Sequence, residues 1–349
     1  PNVMGQVGTN NQTLASSMAA IRAGNVVAHL GNATLSMITD PGFLAMTARA
    51  NDIPIVKTLL RQMKLAIGTA FDQEDGLRFA NQIGLVSEYA ADRLIAAQRF
   101  TDVAPHGFMA RLSEITVRAS WMHSITVAGR AAFALEYSAA IARDGAKSFD
   151  QLSRGRKDAF RRVGITSADW DQIRASGITM KDGVPYADIN AIGAKAGREN
   201  GVKVAALIQQ EMNYAVPTPG AESRTMVNQN LKRGTVYGEF ARTIGEFKQF
   251  PITMLMLHGR RALNTSSMNK AAYGGGLTAL LLALGWVATG AKDISRGRDP
   301  ISLFDEDGSF NFKQGARVAM QSGALGIYGD LIFADQTRFG ASPAATIMG

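Results

Sequence analysis

The most constraining feature of this sequence is a long segment without a charged side chain, which runs from Ala271 to Ala291 between Lys270 and Lys292. An α-helix of about 20 apolar residues is long enough to cross the hydrocarbon core of a bilayer. Such a helix must be covered by lipid or by other protein, and length alone does not separate the two. Basic residues occur on both sides of the segment, so they indicate no orientation in a membrane.

Small residues recur on one face of this predicted helix, and such a face lets a second helix approach closely. Its members are Ala272, Gly276, Ala279, Ala283 and Gly290. A second apolar run, Val318 to Ala334, is the predicted neighbour. We therefore predict a C-terminal pair of apolar helices. The residues predicted to contact lipid or the neighbouring helix are Gly276, Ala279, Leu281, Ala283, Leu284, Trp286 and Gly290.

The rest of the chain has the three- and four-residue apolar spacing of amphipathic helices, and 46% of its 349 residues are hydrophobic. The longest helix candidate in the first half is Val117 to Arg143. The main strand signal is Met180 to Val184, where an Asp-Gly pair favours a tight hairpin turn. We predict a mainly all-α fold of multi-helix bundles with at most a small hairpin.

Turn-forming residues suggest three regions. Residues 1–145 are predicted to form an N-terminal helical bundle, and residues 146–220 a smaller helical unit that ends in the Pro/Gly linker Pro217 to Gly220. Residues 221–349 form the C-terminal helical region. Ser148 with Gln151, and Thr166 or Ser167 ahead of Trp170, are the predicted helix starts in the middle region. The first residue is Pro1 rather than methionine, which favours a processed chain or the ordered part of a longer protein.

The charge balance favours anionic partners, because 37 basic residues stand against 29 acidic ones and give a net charge of +8. An ordinary soluble surface with spare lysines is the alternative interpretation. One local cluster is predicted to contact DNA phosphates or a neighbouring subunit. It consists of Arg154, Arg156, Lys157, Arg161 and Arg162.

Catalytic chemistry has no visible basis in the sequence. Cysteine is absent, which excludes disulfides, thiolate metal sites and cysteine nucleophiles. The four histidines, His29, His106, His123 and His258, lack metal-binding spacing, so each is interpreted as structural, with His123 the one to inspect for burial. Asp305 to Gly308 is interpreted as a turn rather than a calcium loop. We predict no catalytic residue, no metal site and no cofactor.

Several short segments carry a further signal. They are GEFKQFPIT at residues 245–253, KDI at 292–294, GRDP at 297–300, GIYGD at 326–330 and RFG at 338–340, with IT and DWD at 165–171. Together they resemble the C-terminal parts of large internal virion proteins of short-tailed phages, which are core or DNA-ejection proteins. The resemblance covers about half the chain. It implies a packing motif at Phe247, Lys248, Phe250 and Pro251.

The resemblance also implies a location and a role. The protein would be packed in the virion near the portal and, after ejection, would help to form a DNA-translocation conduit through the host envelope. Implied partners are other copies in a cyclic oligomer, other internal virion or portal proteins, the DNA backbone and the host inner membrane. Some members of the family carry a peptidoglycan-cleaving domain, but no motif of that domain occurs here. The alternatives are a purely structural scaffold or tape-measure element and, less favoured, a fragment of an envelope-degrading enzyme.

Overall fold

The computed structural model describes residues 11–18, 40–69, 122–181, 184–217, 232, 234–239, 253–254, 256–261, 267–295 and 297–322. These residues are mainly helical, and the sheet among them is a two-stranded hairpin. The predicted fold class is therefore confirmed.

The described residues contain the following helices and strands. In chain order they are α1 (Asp40–Ala50), α2 (Ile55–Thr69), α3 (Met122–Asp144), a 3-10 turn (Phe149–Gln151), α4 (Arg154–Arg162), α5 (Ser167–Ser176), β1 (Ile178–Lys181), β2 (Val184–Ala187), α6 (Ile189–Lys195), α7 (Arg198–Ala215), α8 (Ser267–Ser295) and α9 (Phe312–Ser322).

The chain divides into two compact units. The central unit contains residues 43–91 and 124–216, and the terminal unit contains residues 1–42, 92–123 and 217–349. The division after Val216 coincides with the start of the predicted Pro/Gly linker. The boundary predicted near residue 146 is not a division between units, because α3 on one side of it and α4 to α7 on the other share one hydrophobic core.

Large side chains from α3, α4, α5 and α7 build the core of the central unit. Phe133 and Tyr137 stack along α3 with ring centroids 5.7 Å apart, and Phe160 of α4 lies 5.0 Å from the ring of Trp170 of α5. The indole of Trp170 donates a hydrogen bond to the carbonyl oxygen of Lys147, 3.0 Å away. This bond holds the chain that follows α3 against the same core.

The hairpin confirms the strand prediction. Its strands pair antiparallel from Ile178 opposite Ala187 to Lys181 opposite Val184. The hydroxyl of Ser138 on α3 donates to the carbonyl oxygen of Ala187 at 3.0 Å and accepts from its amide at 3.1 Å. A buried hydroxyl thus satisfies both backbone groups at the end of β2, as a buried polar backbone requires.

Side-chain caps begin the short helices where the sequence predicts them. The amide of Ser148 donates to the side-chain oxygen of Gln151 at 2.9 Å. Thr166 and Asp169 exchange backbone-to-side-chain hydrogen bonds at the start of α5, which is the capping box of a helix N-terminus. The Thr166 amide holds the pKa of Asp169 below its usual range.

A buried arginine joins three elements of the central unit. Arg156 of α4 is 1% exposed. Its Nε lies 3.0 Å from a carboxylate oxygen of Asp144, and its Nη2 donates to the backbone oxygen of Asn51 at 3.2 Å. The guanidinium carbon lies 4.6 Å from the centroid of the Tyr137 ring, in a cation–π contact. Arg156 therefore fixes α4 against the ends of both α1 and α3.

We expect Arg156→Met to lower the free energy of unfolding by about 2 to 3 kcal/mol, because Asp144 and the Asn51 carbonyl would lose a buried partner. Chemical denaturation measures the effect. The matched control is Arg154→Met, two residues earlier and exposed, which should change stability by less than about 0.5 kcal/mol. Equal effects of the two changes would contradict the structural role of Arg156.

The phenol of Tyr137 gives this core a pH dependence. Burial raises the pKa of Tyr137 to about 12, against the smaller opposing effect of Arg156. The unfolded chain then loses this proton near pH 10 while the folded protein keeps it, so stability falls as the pH rises from 10 to 12. We expect Tyr137→Phe to flatten this fall by about 2 kcal/mol, measured by denaturation at pH 8 to 12. A parallel decline in both proteins would count against the assignment.

Candidate functional site

The long apolar segment forms a continuous helix in the terminal unit. Helix α8 contains 29 residues and is roughly 43 Å long at the α-helical rise. Its stretch Tyr273–Ile294 is long and apolar enough to cross a membrane, and no other helix in the described part of the chain meets this test. Of an 18-residue apolar window in this stretch, 28% is buried. Most residues of this window are therefore exposed or half-buried.

The buried side of α8 differs from the side that the small residues predict. Ala279 and Ala283 are exposed, and Gly276 and Gly290 are half-buried. The side that packs is instead a row spaced mostly by four residues. Its members are Tyr273, Leu277, Leu281, Gly285 and Ala288. Helix α8 packs against α9, but only residues 318–322 of α9 belong to the apolar run predicted as its neighbour. The contact side of α8 also differs from the predicted one, because large side chains bury more apolar area than alanines do.

Gly285 allows α9 to approach α8 closely. A Cβ atom at this position would lie 2.5 Å from the Cβ of Ser322 and 2.7 Å from the carbonyl oxygen of Val318. One turn later, the hydroxyl of Thr289 donates to the Gly285 carbonyl oxygen at 2.7 Å, so this buried hydroxyl is satisfied within its own helix. The contact is a glycine-dependent crossing of the kind common between membrane helices.

An ion pair holds the other end of the two helices together. Asp293 of α8 is 2% exposed and accepts two hydrogen bonds from Arg317 of α9, at 2.8 and 3.3 Å. The side-chain oxygen of buried Gln314 accepts a further bond from Arg317 at 2.8 Å. A fork-shaped guanidinium on a carboxylate fixes orientation as well as distance. The pair α8–α9 is therefore fixed at two points, one apolar and one ionic.

The side of α8 away from this buried row exposes large apolar side chains. Trp286 and Val287 are each 49% exposed, and Ile294 is 64% exposed. Leu284 is half-buried and lies on the side of the buried row, three residues after Leu281 and four before Ala288. We call Trp286, Val287 and Ile294 the exposed face of α8.

A buried histidine lies near the first turns of α8. The Nδ1 of His258 lies 2.8 Å from the hydroxyl of Tyr273, and the guanidinium of Arg261 lies 5.4 Å from the centroid of the same ring. The structural role predicted for all four histidines stays a prediction for His258. His29 and His106, and the side chain of His123, lie outside the described residues.

Sequence reasoning missed an aromatic cluster where the loop after α8 meets the start of α9. Phe304, Phe310 and Phe312 meet edge to face, with neighbouring centroids 6.0 and 5.2 Å apart, and are 59%, 46% and 82% exposed. Between the first two lies the acidic turn predicted at Asp305 to Gly308, which the structure confirms as a turn. Hydrogen bonds from Ser309 hold the pKa of Asp307 below its usual value. The sequence signal that could have predicted this cluster is the occurrence of three phenylalanines within nine residues.

The predicted basic cluster is divided by the fold. Arg156 is buried, so it cannot contact an external phosphate, and the prediction for this residue is wrong. Arg162 pairs with the buried carboxylate of Glu211. Lys157 donates to the carbonyl oxygen of Asp150 at 2.6 Å, and Arg154 and Arg161 are exposed. One face of α4 therefore places Arg156 in the core, while another places Arg154 and Arg161 at the surface.

Two groups of predicted residues fall outside the described part of the chain. They are the packing motif of Phe247, Lys248, Phe250 and Pro251, and the second apolar run beyond Ser322. Within the described ranges, no group of three histidine, cysteine or acidic residues is placed to hold a metal ion. The best-defined candidate site is therefore the exposed face of α8, held in place by α9.

Comparison of the chain with protein-family models, with curated proteins and with solved structures finds no match.

The crossing at Gly285 generates a test. We expect Gly285→Ala to lower the free energy of unfolding of the terminal unit by about 1 to 3 kcal/mol, because the new methyl group overlaps the α9 backbone. Gly275→Ala is the control, since nothing lies within 4 Å of a Cβ there. The control should be neutral or stabilising by up to about 1 kcal/mol through helix propensity. Equal responses in a denaturation experiment would argue against the close crossing.

Proposed function

We propose that this chain is part of an internal virion protein of a short-tailed phage that is packed near the portal and, after ejection, helps to form a DNA-translocation conduit through the host envelope. In this role the chain lies in the virion interior before infection and in the host cell envelope afterwards. The partners are other copies in a cyclic oligomer, other internal virion or portal proteins, the DNA backbone and the host inner membrane.

The observation that carries the proposal is the two-sided character of α8. One side is fixed on α9, while the other leaves Trp286 and Val287 half exposed over a length that suits a bilayer. A soluble protein rarely leaves a large apolar patch uncovered without a binding partner. Of the motifs that resemble ejection proteins, the one at 292–294 lies in the last turn of this same helix and the one at 297–300 follows it directly.

The aromatic cluster of Phe304, Phe310 and Phe312 supports a role in assembly. Aromatic side chains supply much of the binding energy in protein interfaces. Phe304 and Phe310 lie on the loop that joins α8 to α9, and Phe312 is the first residue of α9, in the same unit as the exposed face of α8. We propose that they contact another copy or another virion protein.

Contact with the DNA backbone is proposed for the exposed part of the basic cluster alone. Arg154 and Arg161 lie on the surface of α4, whereas Arg156 is buried and paired with Asp144, and Arg162 is paired with the buried carboxylate of Glu211. A contact through two or three cations is weak and strongly salt-dependent. Such a weak contact suits the lining of a channel through which DNA moves, rather than a site that binds DNA tightly.

A structural scaffold without membrane contact is the second candidate, and the close crossing at Gly285 favours it equally. Glycine-dependent helix packing also occurs between helices buried in protein. In a scaffold, a neighbouring subunit would cover the exposed face of α8 and lipid would not bind. The two candidates therefore differ in what Trp286 and Val287 contact.

The test is vesicle binding by the chain with Trp286→Asp and Val287→Asp together. We expect binding to fall by at least about 100-fold, because even one aspartate inside a membrane helix costs about 3 kcal/mol and the variant carries two. Flotation with phosphatidylcholine vesicles measures it. These positions suit the test better than Leu281, whose side chain is buried and whose replacement would damage the fold.

The control variant carries Val236→Asp and Tyr237→Asp, which are an adjacent valine and aromatic residue that are 77% and 75% exposed in the same unit. This variant should bind vesicles like the unchanged protein. Absence of vesicle binding by the unchanged protein, with self-association that the Trp286 and Val287 changes abolish, would replace the conduit with the scaffold.

A further inference from the structure

Helix α2 of the central unit exposes an apolar stripe. Val56, Leu60 and Met63, spaced by four and three residues, lie on one face of the helix and are 70%, 60% and 62% exposed. The usual arrangement of a surface helix places such residues against the core.

The opposite face of α2 is buried although it is partly polar. Thr58 is fully buried, and its hydroxyl donates to the Pro54 carbonyl oxygen at 2.8 Å. Gln62 is 8% exposed, and its amide donates to the backbone oxygen of Ile125 on α3 at 3.4 Å. The polar groups are thus satisfied inside the protein, and the helix is oriented with its apolar stripe toward solvent.

Two ion pairs fix this orientation. Glu136 of α3 is fully buried, and its carboxylate lies 3.3 Å from the Nζ of Lys57 and 3.1 Å from the Nε of Arg61. The spacing of Lys57 and Arg61 places them on one side of α2, so both must face α3 together. Rotating the stripe inward would remove both partners from a buried charge, which is strongly unfavourable.

The charge of α2 indicates the kind of surface that the stripe fits. The helix carries three cations, Lys57, Arg61 and Lys64, and no acidic residue. Lys64 is exposed and follows Leu60 by one turn, so its ammonium group borders the stripe. Lys57 and Arg61 pair with Glu136, so Lys64 is the cation available beside the stripe. Apolar residues on one helix face with a cation at the border suit the surface of an anionic membrane.

A second copy of the chain fits this stripe less well. Three side chains offer roughly 300 Å², whereas a stable dimer buries about 800 Å² on each partner. Packing α2 against itself would also bring together helices that carry only positive charges. A lipid surface needs no minimum interface area of this kind, and an anionic one attracts positive charges instead of repelling them.

We propose that the Val56–Leu60–Met63 stripe of α2, bordered by Lys64, is a docking site for an anionic lipid surface. The apolar side chains enter the boundary between headgroups and acyl chains, and Lys64 contacts lipid phosphate. This site belongs to the central unit and does not depend on the conduit role or on insertion of α8.

The test uses the full chain with Val56→Gln, Leu60→Gln and Met63→Gln together, and vesicles of phosphatidylcholine with or without phosphatidylglycerol. We expect the affinity gained from phosphatidylglycerol to fall about tenfold or more. The control is Val202→Gln, an apolar residue of α7 that is 59% exposed, which should leave binding unchanged. All four side chains are exposed, so unaltered circular dichroism should accompany both variants.

A second pair of variants tests the charge. Lys64→Glu should weaken binding to phosphatidylglycerol vesicles at low salt by several-fold, while the exposed Lys195→Glu on α6 should have a smaller effect. Binding that responds to neither the glutamine nor the glutamate changes would overturn the proposal. A lipid-free dimer that the glutamine variant dissociates would assign the stripe to a second copy and would also overturn it.

The outcomes of this experiment are separate from those for α8. The exposed face of α8 is expected to support binding to phosphatidylcholine alone, whereas the α2 stripe acts through the anionic lipid. One informative result is that the glutamine variant loses the affinity gained from phosphatidylglycerol while it still binds phosphatidylcholine vesicles. That result supports the α2 site even if the conduit role fails.

Discussion

The central unit depends on placing a few charges where water cannot reach them. Arg156 lies among side chains of three elements, and its partners Asp144 and Asn51 lie at the C-terminal ends of α3 and α1. Two further buried carboxylates, Glu136 and Glu211, each receive cations from another helix. Buried ion pairs contribute little net stability, but each tolerates one arrangement of its partners. We infer that they select this packing among the many that an alanine-rich α3 would allow.

The same constraint explains why apolar residues remain at the surface in both units. In the central unit, Glu136 holds the charged side of α2 inward and leaves Leu60 and Met63 outside. In the terminal unit, Asp293 and Arg317 hold one side of α8 against α9 and leave Trp286 outside. In each case a polar contact determines the orientation of a helix, and the exposed apolar surface is its consequence. This pattern suits a protein whose surfaces are completed by assembly.

Local features of the fold were predictable from the sequence because their causes lie within a few residues. The capping residues Thr166 and Asp169, the hairpin after Ile178 and the helical course of α8 all follow from short-range chemistry. The contact side of α8 was not predictable in this way. Its buried row is set by α9, and no periodicity within α8 distinguishes that row from the small-residue stripe.

The candidate sites were predicted less well for the same reason. Arg156 has the same local sequence character as Arg154, and only the distant Asn51 and Asp144 make one buried and the other exposed. In α2, an apolar stripe predicts a buried face, and the opposite result depends on Glu136, which lies 75 residues beyond Arg61 in the sequence. A single sequence shows which residues can be buried but not which competing partner will bury them.

The crossing at Gly285 also limits how α8 and α9 can move. Sliding one helix past the other by a turn, about 5.4 Å, would place Leu281 or Thr289 against Ser322, where there is no space for a side chain. The same shift would carry Arg317 out of reach of Asp293. The two helices therefore have one permitted register, and any rearrangement of this protein must carry them as a rigid pair or separate them completely.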